Sequence, residues 1–351
     1  MSPGVDRQGP LDQAPGRDAV PGTRAGRARG RGGRGGERRM VPEATFTSYY
    51  GRPVVKPSPW EADIPAYLFL GGLAAGSSLL GAGADLTGRP ALRRAGRIGA
   101  LVGIILSFAA LVHDLGKPSR FVNMLRVAKP TSPMSVGTWV LSAYGPMAGL
   151  AGVSELSGLL PHRLRWAATV LGATGRPAGL VAGVVAPAVA SYTAVLLTDT
   201  ATPSWHEAHR ELPFVFVGSA ASASGGLGML ASPPAQAGPA RRLAIGGAAL
   251  ELVAAQRMEQ SMGLTAEPLH AGRAGQLLRA SKALTAAGAV GTALFAGRSR
   301  LAAALSGAAL LAGSACTRFG IFEAGQASAL DPRYTVVPQR ERLDARRRDQ
   351  P

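Results

Sequence analysis

A series of long apolar blocks fills the middle of this chain and limits what it can fold into. Eight blocks are mostly apolar and rich in Ala, Gly and Leu: residues 64–86, 96–115, 135–159, 177–198, 212–230, 240–260, 277–296 and 301–317. An α-helix needs about 20 apolar residues to cross the roughly 30 Å of hydrocarbon in a bilayer. We therefore expect an all-α, polytopic membrane helix bundle with about eight transmembrane helices. Residues 164–174 are too short to cross, and we expect them to lie at the interface.

Polar stretches flank the apolar blocks and divide the chain into three parts. Residues 1–47 contain a low-complexity Arg/Gly run with nothing to bury, so we expect a disordered N-terminal arm, and a start at Met40 would remove most of it. Residues 48–320 are the predicted transmembrane bundle. Residues 321–351 are the predicted polar C-terminal tail.

The net charge of +17 has a topological explanation. Lys and Arg collect in the cytoplasmic loops of membrane proteins, and this explanation is favoured over nucleic-acid binding. An even number of spans puts both termini on one side. That side carries more Lys and Arg than the other when Arg318 is counted with the C-terminal tail. We expect a multi-pass protein of the cell membrane with both termini in the cytoplasm.

The cysteine and histidine content argues against a redox centre bound by the chain itself. Cys316 is the only cysteine, whereas an iron–sulfur cluster needs about four ligands. Of the five histidines, only His113 falls at a helix end near the membrane, which disfavours a bis-histidine haem. We expect no metal, haem or iron–sulfur cluster, so that a redox cofactor is either mobile or held by a partner.

Polar side chains gather at the predicted ends of three spans. His113 and Asp114 end the second span, Tyr67 lies in the first turn of the first span, and Tyr192 lies late in the fourth. If the spans alternate in direction, all three ends emerge at one membrane boundary. A quinone needs hydrogen-bond donors for its two carbonyls and a group that accepts protons. We expect Asp114 and His113 to handle protons, and Tyr67 and Tyr192 to donate to the ring.

Nearby aromatic and small residues complete this predicted pocket. Trp60 precedes the first span, and Gly72 and Gly76 within it would allow close approach of a ring. Each has an ordinary structural explanation as well: Trp60 and Tyr67 as interfacial anchors, and the glycines as helix-packing residues. Asp114 could equally cap its loop or pair with Lys117.

Two carboxylates fall deeper in the predicted spans. Glu155 lies late in the third and Glu251 near the middle of the sixth. An unpaired charge at mid-bilayer costs about 2.5–3.5 kcal/mol on insertion scales. Both are therefore candidates for a proton relay, although a neutral acid hydrogen-bonded across helices would also satisfy Glu251. On the loop after the second span, Lys117, Arg120 and Arg126 form a basic surface that could dock an acidic partner.

Three stretches carry a resemblance to a known family. They are WEADIPAYLFLGGLAAG (60–76), HDLGKPSRFVNMLRVAKPTSPMSVGTWVLSAYG (113–145), and SYTAVLL (191–197) with Pro203 and Trp205 after it. In these stretches the chain resembles the NrfD/polysulfide reductase membrane-subunit family. The tail FEAGQASALDPRY (322–334) is similar to one branch of that family. Two departures concern Thr202, where many relatives have Arg, and Tyr67, where some have His.

The resemblance implies a haem-free anchor of eight or nine helices within a respiratory oxidoreductase complex. Such a subunit exchanges electrons between menaquinone or ubiquinone and a ferredoxin-like four-cluster iron–sulfur subunit. That partner in turn serves a molybdopterin catalytic subunit, often a formate dehydrogenase or a sulfur-compound reductase of anaerobic respiration. The chain would then be a non-autonomous part of an enzyme. The resemblance places the quinone near Tyr67, Asp114 and Tyr192.

Two other classes of protein stay open. A secondary transporter would bind a coupling ion with Asp114, Glu155 and Glu251, but transporters usually contain internal repeats, and none is evident in this sequence. A purely structural anchor would bind no quinone.

Overall fold

The fold is a bundle of long α-helices, seen in a computed structural model that describes residues 52–117 and 119–348. Twelve α-helices lie in these residues: α1 Asp63–Leu86, α2 Pro90–Asp114, α3 Arg120–Met124, α4 Pro133–Ser154, α5 Arg165–Thr198, α6 Pro203–Glu207, α7 Leu212–Ala231, α8 Gly238–Ser261, α9 Glu267–His270, α10 Gly272–Leu294, α11 Arg300–Leu330 and α12 Arg333–Arg348. This part of the chain contains no β-strand. The predicted all-α membrane bundle is confirmed.

Eight of the described helices are long enough to cross a bilayer. Among the described residues, α1, α2, α5 with the turn before it, α7 and α11 are the five that are both long and apolar enough to span a bilayer. Helices α4, α8 and α10 have 22, 24 and 23 residues, so they are long enough. They fall short in mean apolarity because they carry more small polar or charged residues.

Three boundaries differ from those expected from the sequence. The segment 164–174 is not a separate interfacial piece, because α5 runs unbroken from Arg165 to Thr198. Nothing in its first turns interrupts the backbone hydrogen bonds, and 34 residues make a helix of about 51 Å, longer than the hydrocarbon layer. The second helix begins at Pro90, whose fixed φ suits a first helical position. The last long helix, α11, continues to Leu330.

The segment that follows α11 is mostly helical. Residues 333–348 form α12, so the segment predicted as a polar tail is helical over most of its length. The predicted disordered arm, residues 1–47, and the alternative start at Met40 lie outside the described residues.

The helices alternate in direction and pack with their neighbours in the chain. The closest pairs are α1 with α2, α4 with α5, α7 with α8, and α10 with α11, and α1 and α7 also pack against α5 and α11. Small residues bring the backbones close together. At Gly226, for example, an added Cβ would lie 2.6 Å from the Gly307 carbonyl oxygen. Close backbone approach of this kind is what holds helices together in lipid, where burial of apolar surface gives little.

The alternation gives the bundle two ends. We call the end where α1 begins the Asp63 end, and the end where α1 finishes the Asp85 end. The Asp63 end also carries the last residues of α2, α5, α8 and α11 and the helix α12.

Candidate functional site

Three helix ends meet at the Asp63 end of the bundle. The imidazole Nδ1 of His113, in the last turn of α2, lies 2.9 Å from Oδ2 of Asp63 at the start of α1. The Trp60 ring before α1 stacks on Trp205 at a centroid distance of 6.0 Å. Trp205 belongs to α6, which is held to the end of α5 by the contact of His206 Nδ1 with the Thr198 carbonyl oxygen at 3.2 Å. The ends of α1, α2 and α5 therefore adjoin one another.

Asp114 lies at this junction as the last residue of α2. Its carboxylate is half-buried and interacts with the Glu61 backbone. It also interacts electrostatically with the side chains of Asp63, Glu61 and His113. Gly116, two residues on, has φ +67°, a left-handed conformation that glycine adopts readily and that turns the chain away from α2. Asp114 is thus held within a small group of three carboxylates and one imidazole.

The hydrogen bond of His113 goes to Asp63 rather than to its neighbour Asp114. The His113 side chain is 80% exposed and that of Asp63 is 32% exposed, so this pair faces water at the rim of the site. Asp63 was not among the residues predicted to handle protons, although its position in the first turn of a membrane helix, beside the Trp-Glu pair, is a signal that could have found it.

Tyr67 is buried on α1, next to α2. Its side chain is 3% exposed and belongs to a continuous apolar cluster that includes Ile104, Leu141 and Tyr144. The Ser107 hydroxyl of α2 donates to the Tyr67 carbonyl oxygen at 3.2 Å, which fixes the two helices to each other at this level.

Tyr192 borders the same cluster from α5. Its ring lies over Gly137 of α4, where an added Cβ would come within 2.4 Å of the ring carbon Cε2. The Tyr192 hydroxyl oxygen is buried and has no hydrogen-bond partner in the described residues. Buried polar groups are nearly always paired, so this phenol is a donor that lacks an acceptor.

Tyr144 is a third buried tyrosine, which the sequence did not single out. It is fully buried on α4, and its hydroxyl forms a 2.8 Å hydrogen bond with that of Ser78 on α1. Gly137, Leu141 and Tyr144 are buried residues spaced four and three apart, so they form one face of α4. That spacing is the sequence signal that could have found Tyr144.

Gly72 and Gly76 contact α7 and not the tyrosines. A Cβ on Gly72 would lie 3.3 Å from the Ala220 Cβ, and one on Gly76 would lie 2.2 Å from the Ser224 hydroxyl oxygen. The structure thus gives both glycines a helix-packing role. Gly76 also lines an apolar cleft of about 80 Å³ between α1, α5 and α7. A quinone contact of either glycine stays a prediction.

Trp60, Trp205 and Phe322 pack together at the Asp63 end, and we call this group the aromatic floor. Trp205 is fully buried, and its indole N–H donates to the Ile321 carbonyl oxygen at 2.9 Å. Phe322 packs against it with ring centroids 5.5 Å apart, and the Gln326 amide donates to the Trp60 carbonyl oxygen at 3.1 Å. These contacts hold the segment before α1 against α11.

The basic loop between α2 and α4 extends outward from the same end. Lys117, Arg120 and Arg126 are all exposed. Arg120 donates to the Leu115 carbonyl oxygen at 3.3 Å, which places its guanidinium beside the end of α2. Lys117 and Arg120 therefore lie close to Asp114, and Arg126 lies further along the same loop.

Glu155 lies at the opposite end of the bundle, the Asp85 end. Its carboxylate accepts from Arg93 Nε at 2.8 Å and from Arg97 Nη1 at 2.9 Å, and its side chain is 4% exposed. Asp85 pairs with Arg97 at 3.3 Å and with Arg176 at 3.4 Å. Four helices are joined by this ion-pair network, in which Glu155 is fully paired. Its relay role stays a prediction.

Glu251 occupies a third place, inside the bundle. Its side chain is 3% exposed, and its two oxygens accept from the hydroxyls of Thr317 at 2.6 Å and Ser222 at 3.2 Å. Asp114, Glu155 and Glu251 thus lie at one end, at the other end, and in the interior.

Arg318 is buried beside Glu251, contrary to its expected place in a polar tail. It is fully buried on α11, donates to the Phe216 carbonyl oxygen at 2.8 Å, and stacks its guanidinium 3.5 Å above the Phe216 ring. Its Nε and Nη1 have no partner among the described residues. Hydropathy placed the end of the last span near Thr317, but α11 continues for three further turns, so Arg318 is carried inside the bundle.

The described residues contain no group of three or more His, Cys, Asp or Glu side chains arranged to hold a metal ion. The polar groups at the Asp63 end instead offer two phenols, an imidazole and carboxylates around an apolar cluster. This combination suits hydrogen bonding to a neutral ring with carbonyl groups and the movement of protons at its edge.

Comparison with known proteins identifies a family. A family model described as Polysulphide reductase, NrfD matches residues 54–236. The match covers slightly more than half of the chain and contains α1 to α7, with Tyr67, Asp114 and Tyr192. Helices α8 to α12 lie beyond it. No curated protein matches the chain at a significant level.

Proposed function

The chain belongs to the NrfD polysulphide reductase family, and we propose that it exchanges electrons between membrane quinone and a partner iron–sulfur subunit. Family membership makes it a multi-pass membrane subunit of a quinone-interacting oxidoreductase complex. Both directions of electron flow, from quinol to the partner and from the partner to quinone, are compatible with this proposal.

The observation that carries the proposal is the unpartnered hydroxyl of Tyr192. This donor is buried at the edge of an apolar cluster that also contains Tyr67, near the helix ends that carry His113 and Asp114. An uncompensated buried hydroxyl costs about 1–3 kcal/mol, so a ligand carbonyl that accepts its hydrogen bond would recover that energy. The residues present therefore fit a quinone ring.

The chain's own groups would divide the work of binding and proton handling. A bound quinone supplies a carrier for two electrons and two protons. Tyr192 and Tyr67 would donate hydrogen bonds to its carbonyl oxygens, and Trp60 would close the pocket from the aqueous side. Asp114 would accept or deliver the proton, and His113, oriented by Asp63, would exchange it with water at the rim.

The partners follow from the family and from the charge of the loop beside the site. We infer a ferredoxin-like four-cluster iron–sulfur subunit docked on Lys117, Arg120 and Arg126, with a molybdopterin catalytic subunit beyond it. Two of these exposed cations, Lys117 and Arg120, lie close to Asp114, which keeps the electron path from quinone to cluster short. We also infer that the Asp63 end faces the cytoplasm and that the complex serves anaerobic respiration, as formate dehydrogenase-like enzymes do.

The transporter alternative requires a shared ion site. Asp114, Glu155 and Glu251 would have to converge on one ion, but they occupy the two ends and the interior of the bundle. We therefore favour the oxidoreductase subunit, in which Glu155 and Glu251 are proposed proton-relay groups away from the quinone.

The test is quinone-coupled turnover of the assembled complex carrying Asp114→Asn. We expect turnover to be abolished while the complex still assembles, because the amide cannot carry the proton. Asp199→Asn is the matched control, since Asp199 is an exposed carboxylate at the same end, one residue past α5. Unchanged turnover in the Asp114 variant, or no binding of a quinone analogue to the wild-type complex, would contradict the proposal.

A further inference from the structure

A second polar system lies mostly beyond the family match, between α7 and the helices that follow it. Its centre is Glu251 on α8, a buried carboxylate between α7, α10 and α11. Hydroxyl groups on α7 and α11 surround it, and those of Ser222 and Thr317 donate to its two oxygens. Hydrogen bonds from these hydroxyls thus offset the cost of burying the carboxylate, and the same hydroxyls can also accept hydrogen bonds.

The hydroxyl chain next to Glu251 can be satisfied in either protonation state of the acid. Thr317 Oγ1 lies 2.6 Å from Glu251 Oε1 and 2.6 Å from Ser281 Oγ on α10. With Glu251 ionised, Ser281 donates to Thr317 and Thr317 donates to Glu251. With Glu251 protonated, its O–H donates to Thr317, whose hydrogen turns to Ser281 or to the Gly313 carbonyl oxygen at 3.1 Å. Gain or loss of the proton therefore leaves no buried group unpaired.

A narrow cleft with about 20 Å³ of space for water begins at this carboxylate and follows α8 toward the Asp63 end. Glu251, Ala255 and Met258 form its α8 wall, with Glu259 at the far end. Opposite them lie residues of α7, α10 and α11: Val215, Leu278, Ser281, Lys282, Thr317 and Ile321. The cleft therefore has a polar inner end, apolar walls and a charged outer end.

The outer end is a partly exposed ionic group. Glu259 is 18% exposed and pairs with Lys282 Nζ at 2.7 Å and with His270 Nε2 at 3.8 Å. His270 and Lys282 are 58% and 43% exposed, and His270 lies in the connection between α8 and α10, so the group reaches the surface of the bundle at the Asp63 end. Carboxylate, amine and imidazole side chains are all able to exchange protons with solvent.

The two carboxylates are too far apart for direct transfer. Eight residues of α-helix span about 12 Å, which is several hydrogen-bond lengths. The Thr317 and Ser281 hydroxyls cover part of this distance, and the cleft has room for one or two water molecules between Ser281 and Glu259 to bridge the rest. Polar groups at both ends make such hydration favourable.

We propose that this cleft is a proton-exchange path between Glu251 and the aqueous phase at the Asp63 end. A proton is taken from water at the Glu259–Lys282–His270 group, passes along the water in the cleft and the Ser281–Thr317 hydroxyls, and neutralises the Glu251 carboxylate. The reverse transfer regenerates the carboxylate and returns the proton to water. No electron transfer or co-reactant is involved.

Arg318 closes the inner end of the path and links it to the first helix. It acts electrostatically on Glu251, and a Cβ on Gly72 of α1 would lie 3.2 Å from its Nη2. Because a guanidinium does not release its proton, it is a fixed positive charge at the boundary between the two halves of the bundle. Protons reaching Glu251 are thereby kept from crossing toward α1.

The path rests on the geometry of α7, α8, α10 and α11 and uses none of the proposed quinone-site residues, so the proposed quinone chemistry can fail without affecting it. The test is hydrogen–deuterium exchange of the full chain in lipid nanodiscs, followed by infrared spectroscopy of the carboxylic-acid C=O band. Glu251→Gln identifies the band that belongs to this residue. Its shift after transfer to D2O measures access of solvent protons.

Two pairs of variants separate the cleft from general effects on the fold. Ala255→Phe fills the cleft, and its control Val253→Phe places the same ring on the exposed face of α8. Glu259→Gln removes the outer carboxylate, and its control Glu323→Gln removes a carboxylate that is 37% exposed and does not line the cleft.

We expect Ala255→Phe and Glu259→Gln to slow the exchange by about a hundredfold, the lower range of what a positioned proton-transfer group contributes. The two controls should exchange at the wild-type rate. If Ala255→Phe fails to fold, Glu259→Gln decides. Wild-type rates in both test variants, or the absence of any carboxylic-acid band that depends on Glu251, would overturn the proposal.

Discussion

His113 and Asp63 are 50 residues apart in the sequence, and their side chains meet at 2.9 Å between Nδ1 and Oδ2. This contact joins the last turn of α2 to the first turn of α1 and sets the rim of the proposed quinone site. It also gives the imidazole a fixed acceptor, which leaves Nε2 free to face the water outside the bundle.

The Asp63–His113 contact should matter for proton exchange more than for stability. We expect Asp63→Asn to lower quinone-coupled turnover, because the imidazole loses the carboxylate that orients it, while the melting temperature stays at the wild-type value since the pair is largely exposed. Steady-state turnover and thermal unfolding of the same preparation measure the two effects. Asp331→Asn, an exposed acid paired with Arg333 at the same end, should change neither. A lower melting temperature with normal turnover would show a structural contact only.

Gly137 should control the position of the Tyr192 ring. In Gly137→Ala the new Cβ would fall 2.4 Å from Tyr192 Cε2, so the ring must move and its hydroxyl with it. We expect weaker binding of a quinone analogue, measured by titration of the purified complex. Gly149→Ala on the same helix meets nothing within 4 Å and is the control. Equal affinity in both variants would remove Tyr192 from the site.

The basic loop should steer the partner subunit. Replacing Lys117, Arg120 and Arg126 with Gln should slow association of the iron–sulfur subunit by about tenfold at low salt, because electrostatic steering raises on-rates by that order or more. Surface-binding kinetics on nanodisc-embedded chain, at several salt concentrations, measure the rate and its salt dependence.

The control for docking uses three exposed arginines near the Asp85 end. Replacing Arg163, Arg165 and Arg298 with Gln removes the same charge far from Asp114. If this variant slows association as much as the loop variant, the docking surface is not where we place it.

The ion-pair network at the Asp85 end should act as a structural clamp. Arg97 is buried and holds both Asp85 and Glu155, so Arg97→Met leaves carboxylates short of a partner and should lower the free energy of unfolding by about 3–5 kcal/mol. Arg94→Met is the control, because Arg94 is 66% exposed and its contact with Glu155 is long, at 3.7 Å. Denaturant unfolding in detergent measures both.

Glu155→Gln separates the clamp from the proton relay predicted from sequence. A loss of stability with normal turnover of the surviving complex would assign Glu155 to the clamp. Normal stability with lost proton-coupled turnover would assign it to the relay.

Gly325 should be intolerant of any side chain. An alanine Cβ at this position would lie 1.9 Å from the indole nitrogen of Trp205, which is fully buried and cannot withdraw. We expect Gly325→Ala to destabilise the chain by about 1–3 kcal/mol through overpacking. Gly246→Ala, with nothing within 4 Å, should be neutral or stabilise by up to about 1 kcal/mol. A melting temperature unchanged in Gly325→Ala would show that the aromatic floor can rearrange.

Much of the architecture could be read from hydropathy, because the thickness of a bilayer fixes the length of an apolar helix. The spans at 64–86 and 212–230 agree with α1 and α7 to within about one residue. The boundaries that failed lie where helices continue past the apolar block, as α5 does at its start and α11 at its end. Hydrogen bonding along the backbone does not stop at the lipid boundary, so composition alone cannot set those ends.

The sequence by itself determined the helix positions, the alternation of directions, and hence the convergence of Tyr67, Asp114 and Tyr192 on one end of the bundle. These follow from local composition and chain length. Only the tertiary structure decided which polar groups are paired: His113 with Asp63, Glu155 with Arg97, and Glu251 with Thr317. It also decided that Arg318 is buried. Such pairings depend on the rotation of each helix about its axis and on close contact between distant segments, which no local pattern in the chain records.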